Sequence, residues 1–267
     1  MVKSFLSFVK DIIRERKLIF ELAKNDFKAK YAGSFLGVVW AFVQPLVTVL
    51  VMWFVFEKGF RSKPVDDVPF ILWFVPAYIP WIFFSDMLAS TTNCLYEYSY
   101  LVKKVKFRVS VLPIVKIMSA TFVHLFFIAF IFAIYVIYGW PIGITSVQCI
   151  YYSAALIFFT VGLSWMLSAL SVFFKDLTQL VNVVLQIGFW VTPIFWNDAS
   201  LTPFVGKLLK LNPLYYIVRG YRDSFLYGVP FWQRVGTSTY FGILSIICFV
   251  VGALIFKRLR PHFADEL

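Results

Sequence analysis

The chain has 267 residues, of which 61% are hydrophobic and only 15% are charged, and its formal net charge is +11. Its mean hydropathy of +0.81 lies outside the range of ordinary soluble domains and leaves little chain for a soluble catalytic domain. The three cysteines, Cys94, Cys149 and Cys248, are far apart and favour neither a metal site nor a disulfide framework.

The first element in chain order is a basic arm, residues 1–35. Its apolar residues, from Phe5 to Phe27, recur at intervals of three, four and seven, and Lys10, Lys17 and Lys24 fall on another stripe. This pattern predicts an amphipathic helix that lies in the headgroup plane of a membrane.

Six apolar stretches follow, and a helix needs about 20 apolar residues to cross a bilayer. They cover 36–57, 70–92, 109–138, 147–174, 177–196 and 236–257. The mixed segment 197–235, divided by Pro203, Pro213 and Pro230, predicts one or two short re-entrant or outer helices. The predicted fold is an all-α integral membrane protein with a single six-helix transmembrane domain, 36–257, and a cytoplasmic tail, 258–267.

Lysine and arginine determine the predicted orientation. They concentrate in the arm, in the connection between the second and third stretches, and in the tail after Phe256. With six spans these three segments share one side, which the positive-inside rule identifies as the cytoplasm.

Ionisable residues are scarce inside the apolar stretches. Asp86 and Lys116 lie about equally far from the connection between the second and third stretches, so we expect an intramembrane ion pair. His124 is expected to be a packing residue. The scarcity of carboxylates near the membrane midplane disfavours an ion-coupled transporter. The chain also has no GxxxxGK[ST] loop to bind the phosphates of ATP. If transport is powered, the energy comes from another polypeptide.

Short motifs follow one another along nearly the whole chain. They are YAGSFLGVVW from Tyr31, then Gln44-Pro45, PWIFF from Pro80, LVKK from Leu101, FKDL from Phe174, TPI from Thr192, NPL from Asn212 and RPHFA from Arg260. In this order they resemble the type-2 ABC transporter permeases that export polysaccharides. O-antigen exporter permeases are the most similar, followed by wall teichoic acid exporter permeases.

The resemblance implies a transport permease that is not itself an enzyme. It implies a homodimer in the bacterial cytoplasmic membrane, with both termini cytoplasmic, that moves a polyprenyl-diphosphate-linked glycan outward. Two copies of a separate ABC ATPase would hold ATP and magnesium. The chain itself would bind no cofactor, metal or nucleic acid, and would contact glycan and membrane lipids.

The resemblance also assigns residues to roles. Contacts with the ATPase fall to Glu97, Tyr98, Tyr100, Leu101, Lys103, Lys104, Phe107, Phe174, Lys175, Asp176 and Leu177. A lipid diphosphate would enter at Lys28, Lys30 and Tyr31, and the aromatic rings of Trp40, Phe42 and Trp190 would line the sugar channel. Residues 201–227 would form outer gate helices.

Three alternatives remain open on the sequence. A teichoic acid exporter permease or a type-2 permease for drugs or small lipids would share the architecture. A membrane-embedded polyprenyl-phosphate transferase would need paired carboxylates or a His/Asp cluster. Asp86, Glu97 and Asp176 are isolated by comparison.

Overall fold

The computed structural model of the chain describes residues 15–60, 67–103, 108–198 and 201–267. Within these ranges the regular structure is helical and no strand occurs. In chain order the helices are α1 Arg16–Lys30, α2 Gly37–Gly59, α3 Phe70–Thr92, α4 Val109–Ile137, α5 Ile144–Ser171, α6 Leu177–Val191, α7 Pro203–Leu209, α8 Pro213–Arg222 and α9 Val235–His262. Two single-turn helices, Cys94–Glu97 and Ser99–Val102, connect α3 to α4.

Five of these helices, α2, α3, α4, α5 and α9, are long and apolar enough to cross a membrane, which confirms the predicted fold class. α6 takes the place of the predicted fifth span and is shorter. Its 15 residues rise about 22 Å at 1.5 Å per residue, less than the ~30 Å hydrocarbon core. It ends at Val191 because Thr192, with φ −75° and ψ 133°, adopts the extended conformation that a following proline favours.

α3 forms the centre of the bundle. Residues 70–81 are all buried, as expected of a helix that is hydrophobic on every side. Phe70, Phe74 and Tyr78 stack at four-residue intervals, with ring centroids 5.4 and 5.1 Å apart. Because α3 contacts α4, α5, α6 and α8, it is the scaffold on which the other helices are arranged.

α5 and α9 cross closely at two glycines. A Cβ atom added at Gly162 would lie 2.5 Å from the backbone nitrogen of Phe249, and one added at Gly252 would overlap the carbonyl group of Gly162. Small residues permit such close backbone contact between membrane helices. The GxxxG pattern of Gly33 and Gly37 does not bring two helices of this chain together, because both glycines lie at the α1–α2 junction with positive φ.

α1 packs against α4 at the end of the bundle that also holds the α3–α4 connection and the C-terminal tail, here called the arm end. Ile19 and Ala23 are buried against Val111 and Val115, so part of the apolar face of the arm covers protein rather than lipid. The predicted arm helix is confirmed over Arg16–Lys30, and residues 1–14 lie outside the described ranges.

The opposite end, here called the far end, holds α7 and α8, the short helices predicted between the last two apolar stretches. Pro203 and Pro213 each stand in a first helical turn, where the missing N–H would have no partner in any case. Arg222 at the end of α8 is buried and donates to three backbone carbonyl groups, one on α3 and two after α6, at 2.7–3.2 Å. Protein therefore covers α8, and most of its residues are buried.

Candidate functional site

A cavity of about 510 Å³ lies between the C-terminal end of α1 and helices α2, α3, α4 and α6. Its wall combines aromatic rings with a few charged, amide and hydroxyl groups. The polar and aromatic lining includes Lys30, Tyr31, Trp40, Gln44, Thr48, Tyr78, Asp86 and His124. A concave, largely apolar wall with a few polar groups is typical of a ligand site.

Lys30 and Asp86 form an ion pair on the wall of this cavity. Their side chains are 41% and 37% exposed, so the pair contributes little to folding stability. Burial lowers the pKa of Lys30, but the charge and hydrogen bond of Asp86, with smaller contributions from Tyr31 and Asp26, together raise it above its ordinary value. Lys30 therefore stays cationic at neutral pH and can offer its charge to an anionic ligand.

Lys116 binds two carboxylates, neither of them Asp86. Its Nζ atom lies 2.5 Å from Asp26 Oδ1 and 2.5 Å from Glu97 Oε2, and Tyr98 donates its hydroxyl to Asp26 Oδ1 at 2.8 Å. The Asp26 side chain is 8% exposed and that of Glu97 is 48% exposed. These four residues, here called the arm lock, join α1, α4 and the α3–α4 connection.

The predicted ion pair between Asp86 and Lys116 is wrong. Asp86 and Lys116 lie at a similar depth when residues are counted from the α3–α4 connection. This count does not include the arm helix α1, which also packs at this depth. α1 folds against α4 and supplies a closer partner for each, Lys30 for Asp86 and Asp26 for Lys116.

The two segments predicted to contact an ATPase are neighbours at the arm end. Tyr96, between them, donates its hydroxyl to the carbonyl group of Val172 at 3.0 Å and so ties the α3–α4 connection to the end of α5. Each segment exposes an aromatic ring, Tyr100 with 58% and Phe174 with 64% of its surface accessible. Two of the predicted ATPase contacts, Lys104 and Phe107, lie outside the described residues. The other predicted contacts also lie at the arm end: Glu97, Tyr98, Leu101, Lys103, Lys175, Asp176 and Leu177.

Comparison with known proteins agrees with this architecture. The family model described as ABC-2 type transporter matches residues 17–226, from the arm helix to the end of the far-end helices. The chain belongs to the ABC-2 type transporter family. Two relatives named O-antigen export system permease protein RfbA, both from Klebsiella pneumoniae, are 28% identical over 259 residues, 94% of this chain and 95% of theirs. A protein of the same name from Myxococcus xanthus is 25% identical over 98% of this chain and all of its own length.

The three predicted channel aromatics of this ABC-2 type transporter lie in different surroundings. Trp40 lines the cavity and is 44% exposed, and Trp190 on α6 is 59% exposed. Phe42 is half-buried and packs on Phe126 with ring centroids 4.4 Å apart. The aromatic rings therefore present two open faces, one on α2 and one on α6.

α6 carries a polar stripe that is absent from the predicted site residues. Gln179, Asn182 and Gln186 are all exposed and recur at i, i+3 and i+7, so they share one face of the helix. Uncompensated amide groups are costly in hydrocarbon, so this face fits a water-filled passage or another polar surface. The spacing alone could have revealed it.

His124 is a hydrogen-bonded packing residue, as predicted. Its Nε2 atom lies 3.0 Å from Ser153 Oγ and 3.1 Å from the Tyr221 hydroxyl, and its ring stacks on Phe83 at 3.9 Å. These contacts join α3, α4, α5 and α8 beside the cavity of this ABC-2 type transporter.

Proposed function

We propose that this chain is the membrane subunit of an ATP-driven exporter that moves a polyprenyl-diphosphate-linked polysaccharide of the O-antigen type from the cytoplasm outward. The observation that carries the proposal is the cavity whose wall holds both the Lys30–Asp86 pair and Trp40. It offers a cation for a diphosphate and an aromatic face for a sugar ring at one place. The names of the relatives support the same substrate class.

The lipid-linked diphosphate would enter at the arm end. Lys28 is exposed, and Lys30 and Tyr31 stand on the cavity wall. A diphosphate group would compete with the single carboxylate of Asp86 for Lys30, because it carries more negative charge and more acceptor oxygens. The Lys30–Asp86 pair would then open when substrate arrives and close after it leaves.

The glycan would pass along the open faces of α2 and α6. Trp40 and Trp190 would stack on sugar rings, with Phe42 as a further member of the aromatic set. The amide stripe formed by Gln179, Asn182 and Gln186 would exchange hydrogen bonds with sugar hydroxyls. A second copy of this chain would close the passage, because the exposed faces of α2 and α6 leave it open on one side in a single copy.

The ATPase, which would hold ATP and magnesium, would bind at the arm end through Tyr100, Phe174 and their neighbours. The arm lock supplies a route from this surface to the lipid site. Glu97 and Tyr98 belong to the ATPase-facing segment, and both contact the same buried pair, Lys116 and Asp26. A shift of the segment would therefore move α1, which carries Lys30.

The test is to co-purify the tagged chain from bacterial membranes with the products of its neighbouring genes and to measure ATP hydrolysis and surface polysaccharide. We expect a stoichiometric ATPase to be recovered, and Phe174→Ala to reduce its recovery. Phe204→Ala, a control at the far end where the residue is 76% exposed, should leave recovery unchanged. Purification of the chain alone, with metal-dependent transferase activity, would overturn the proposal.

A second measurement addresses the lipid site. Lys30→Gln should lower surface polysaccharide while ATPase recovery stays normal. Lys24→Gln provides the matched control, because Lys24 is exposed on the same helix and does not line the cavity. Normal polysaccharide in the Lys30 variant would remove Lys30 from the substrate path, and export of a drug or small lipid instead would replace the glycan assignment.

A further inference from the structure

A second cavity, of about 340 Å³, lies at the far end, on the opposite side of the bundle from the arm. It is bounded by the N-terminal half of α5, the segment after α6, the end of α7, helix α8 with the residues after it, and the start of α9. Its volume falls within the range of small-molecule sites. Several of its lining residues fall within the outer gate helices expected at 201–227, but none of the substrate or ATPase contacts assigned above uses this cavity.

The lining of this cavity is polar and aromatic. No described lining residue has an aliphatic side chain: tyrosines supply the rings, and the other members are Asn, Asp, Lys, Arg, Gly and Thr. An acyl chain would find no apolar slot here, so the wall does not suit a phospholipid. Hydroxyl, amide and guanidinium groups beside tyrosine rings suit a sugar, which needs hydrogen bonds at its edge and a flat surface at its face.

The charged groups leave a surplus of cations. Lys210, Arg219 and Arg234 face only two carboxylates, Asp198 and Asp223. Arg234 binds Asp223 in a bidentate manner, with Nε–Oδ2 at 2.8 Å and Nη2–Oδ1 at 3.0 Å, and Arg219 Nε lies 3.4 Å from Asp223 Oδ1. These bonds use the carboxylate fully and leave further N–H groups on both guanidinium groups.

Asp198 is also occupied. Its Oδ2 atom accepts a hydrogen bond from the Tyr215 hydroxyl at 2.8 Å. Burial, together with this carboxylate, raises the pKa of Tyr215 to about 12, so the phenol remains a donor at neutral pH. With both carboxylates engaged, the unused charge in the cavity is positive.

Tyr152 provides an independent sign of a missing ligand. The residue lines the cavity and is fully buried, and its hydroxyl group makes no hydrogen bond of good geometry among the described residues, although the Tyr216 side chain lies close enough to interact with it. Its ring is held by the close approach of Gly220 on α8, where an added Cβ atom would overlap the ring. A buried polar group without a partner is costly, and a ligand hydroxyl or oxyanion would satisfy it.

We propose that this far-end cavity binds an acidic sugar, a sugar ring with a carboxylate or phosphate substituent, through Lys210, Arg219 and the Tyr152 hydroxyl. The proposal deepens the export function and rests on it for the source of the sugar, which would be an acidic residue of the emerging glycan. Arginine would pair with the acidic substituent in a planar, two-bond geometry.

The test is ligand-observed saturation-transfer NMR on the full chain in zwitterionic nanodiscs, with glucuronate, glucose 6-phosphate, glucose and inorganic phosphate as probes. We expect at least one of the two acidic sugars to bind at least tenfold more tightly than glucose, and inorganic phosphate to displace it only weakly. The acidic sugar that binds more tightly identifies the preferred substituent, carboxylate for glucuronate or phosphate for glucose 6-phosphate. Equal binding of all three sugars would overturn the proposal, as would inorganic phosphate that competes as strongly as the acidic sugars.

Two lysines at the end of α7 form a matched pair of variants. Lys210→Gln should reduce the preference for the acidic sugar about threefold or more, and Lys207→Gln should leave it unchanged, because Lys207 is also exposed but does not line the cavity. Arg219→Gln should abolish the preference. If Lys210→Gln and Arg219→Gln both retain it in folded protein, the residue assignment is refuted.

Failure of this inference is distinguishable from failure of the proposed export function. If the ATPase co-purifies and polysaccharide reaches the surface while neither acidic sugar binds, only the acidic-sugar site is refuted. If the acidic sugar binds and no ATPase is recovered, the binding site is supported and the proposed export function is refuted.

Discussion

Removal of Lys116 tests the arm lock most directly. Lys116→Met would leave the Asp26 carboxylate buried, at 8% exposure, with the Tyr98 hydroxyl as its remaining described partner. Breaking a buried ion pair by removing one member costs about 3–5 kcal/mol. Glu97→Gln should cost only about 0–1 kcal/mol, because the Glu97 side chain is 48% exposed and solvent screens its charge. The lock should therefore depend on Asp26 and Lys116 far more than on Glu97.

Undocking of the arm can be measured by the accessibility of residue 23. Ala23 is fully buried against α4, so in a background without the native cysteines, Ala23→Cys should react with a maleimide only when α1 opens. Since about 1.4 kcal/mol corresponds to tenfold, Lys116→Met should accelerate labelling by roughly 100-fold or more, and Glu97→Gln by less than about fivefold.

The controls for this measurement come from the same network. Lys24→Met, on the exposed face of α1, should leave the labelling rate unchanged. Adding Asp26→Asn to Lys116→Met should restore slow labelling in part, because it removes the buried charge that lacks a partner. Equal acceleration by Lys116→Met and Glu97→Gln would refute the assignment of Asp26 and Lys116 as the buried core of the lock.

Three further predictions concern stability and transport. Gly252→Ala should destabilise the folded protein by about 1–3 kcal/mol in detergent-titrated unfolding, because its Cβ would overlap Gly162, whereas Gly242→Ala on the same helix has open space and should be neutral. Arg222→Lys should lower stability by about 1–3 kcal/mol in the same assay, since an ammonium cannot reach all three buried carbonyl groups; unchanged stability would refute the anchoring role. Trp40→Ala should reduce surface polysaccharide with normal protein level and ATPase recovery, and full export would exclude a channel role for this ring.

The helices can be located from the sequence because the bilayer imposes one strong requirement, a long apolar segment for each crossing. The stretches predicted at 70–92 and 109–138 are the helices Phe70–Thr92 and Val109–Ile137. The prolines at 203 and 213 likewise marked the starts of α7 and α8, since proline is tolerated in a first helical turn.

Partners distant in the sequence could not be predicted in this way. Depth along a helix can be counted from the sequence, but the side of the helix that a folded-back arm will cover cannot. For this reason the sequence predicts a pair between Asp86 and Lys116, whereas in the structure Asp86 pairs with Lys30 and Lys116 with Asp26. The far-end cavity is likewise a product of tertiary structure, because it gathers residues from α5, α8 and α9 whose sequence spacing carries no common pattern.

The sequence by itself determined a helical membrane protein with a basic arm end, because hydropathy and charge are properties of local segments. Only the tertiary structure decided which glycines let helices touch and which charges are buried together. Gly162 and Gly252 form the close crossing, whereas the GxxxG pattern at Gly33 does not. Close packing and ion pairing depend on contacts between residues that are far apart in the sequence, and these contacts form only when the chain folds.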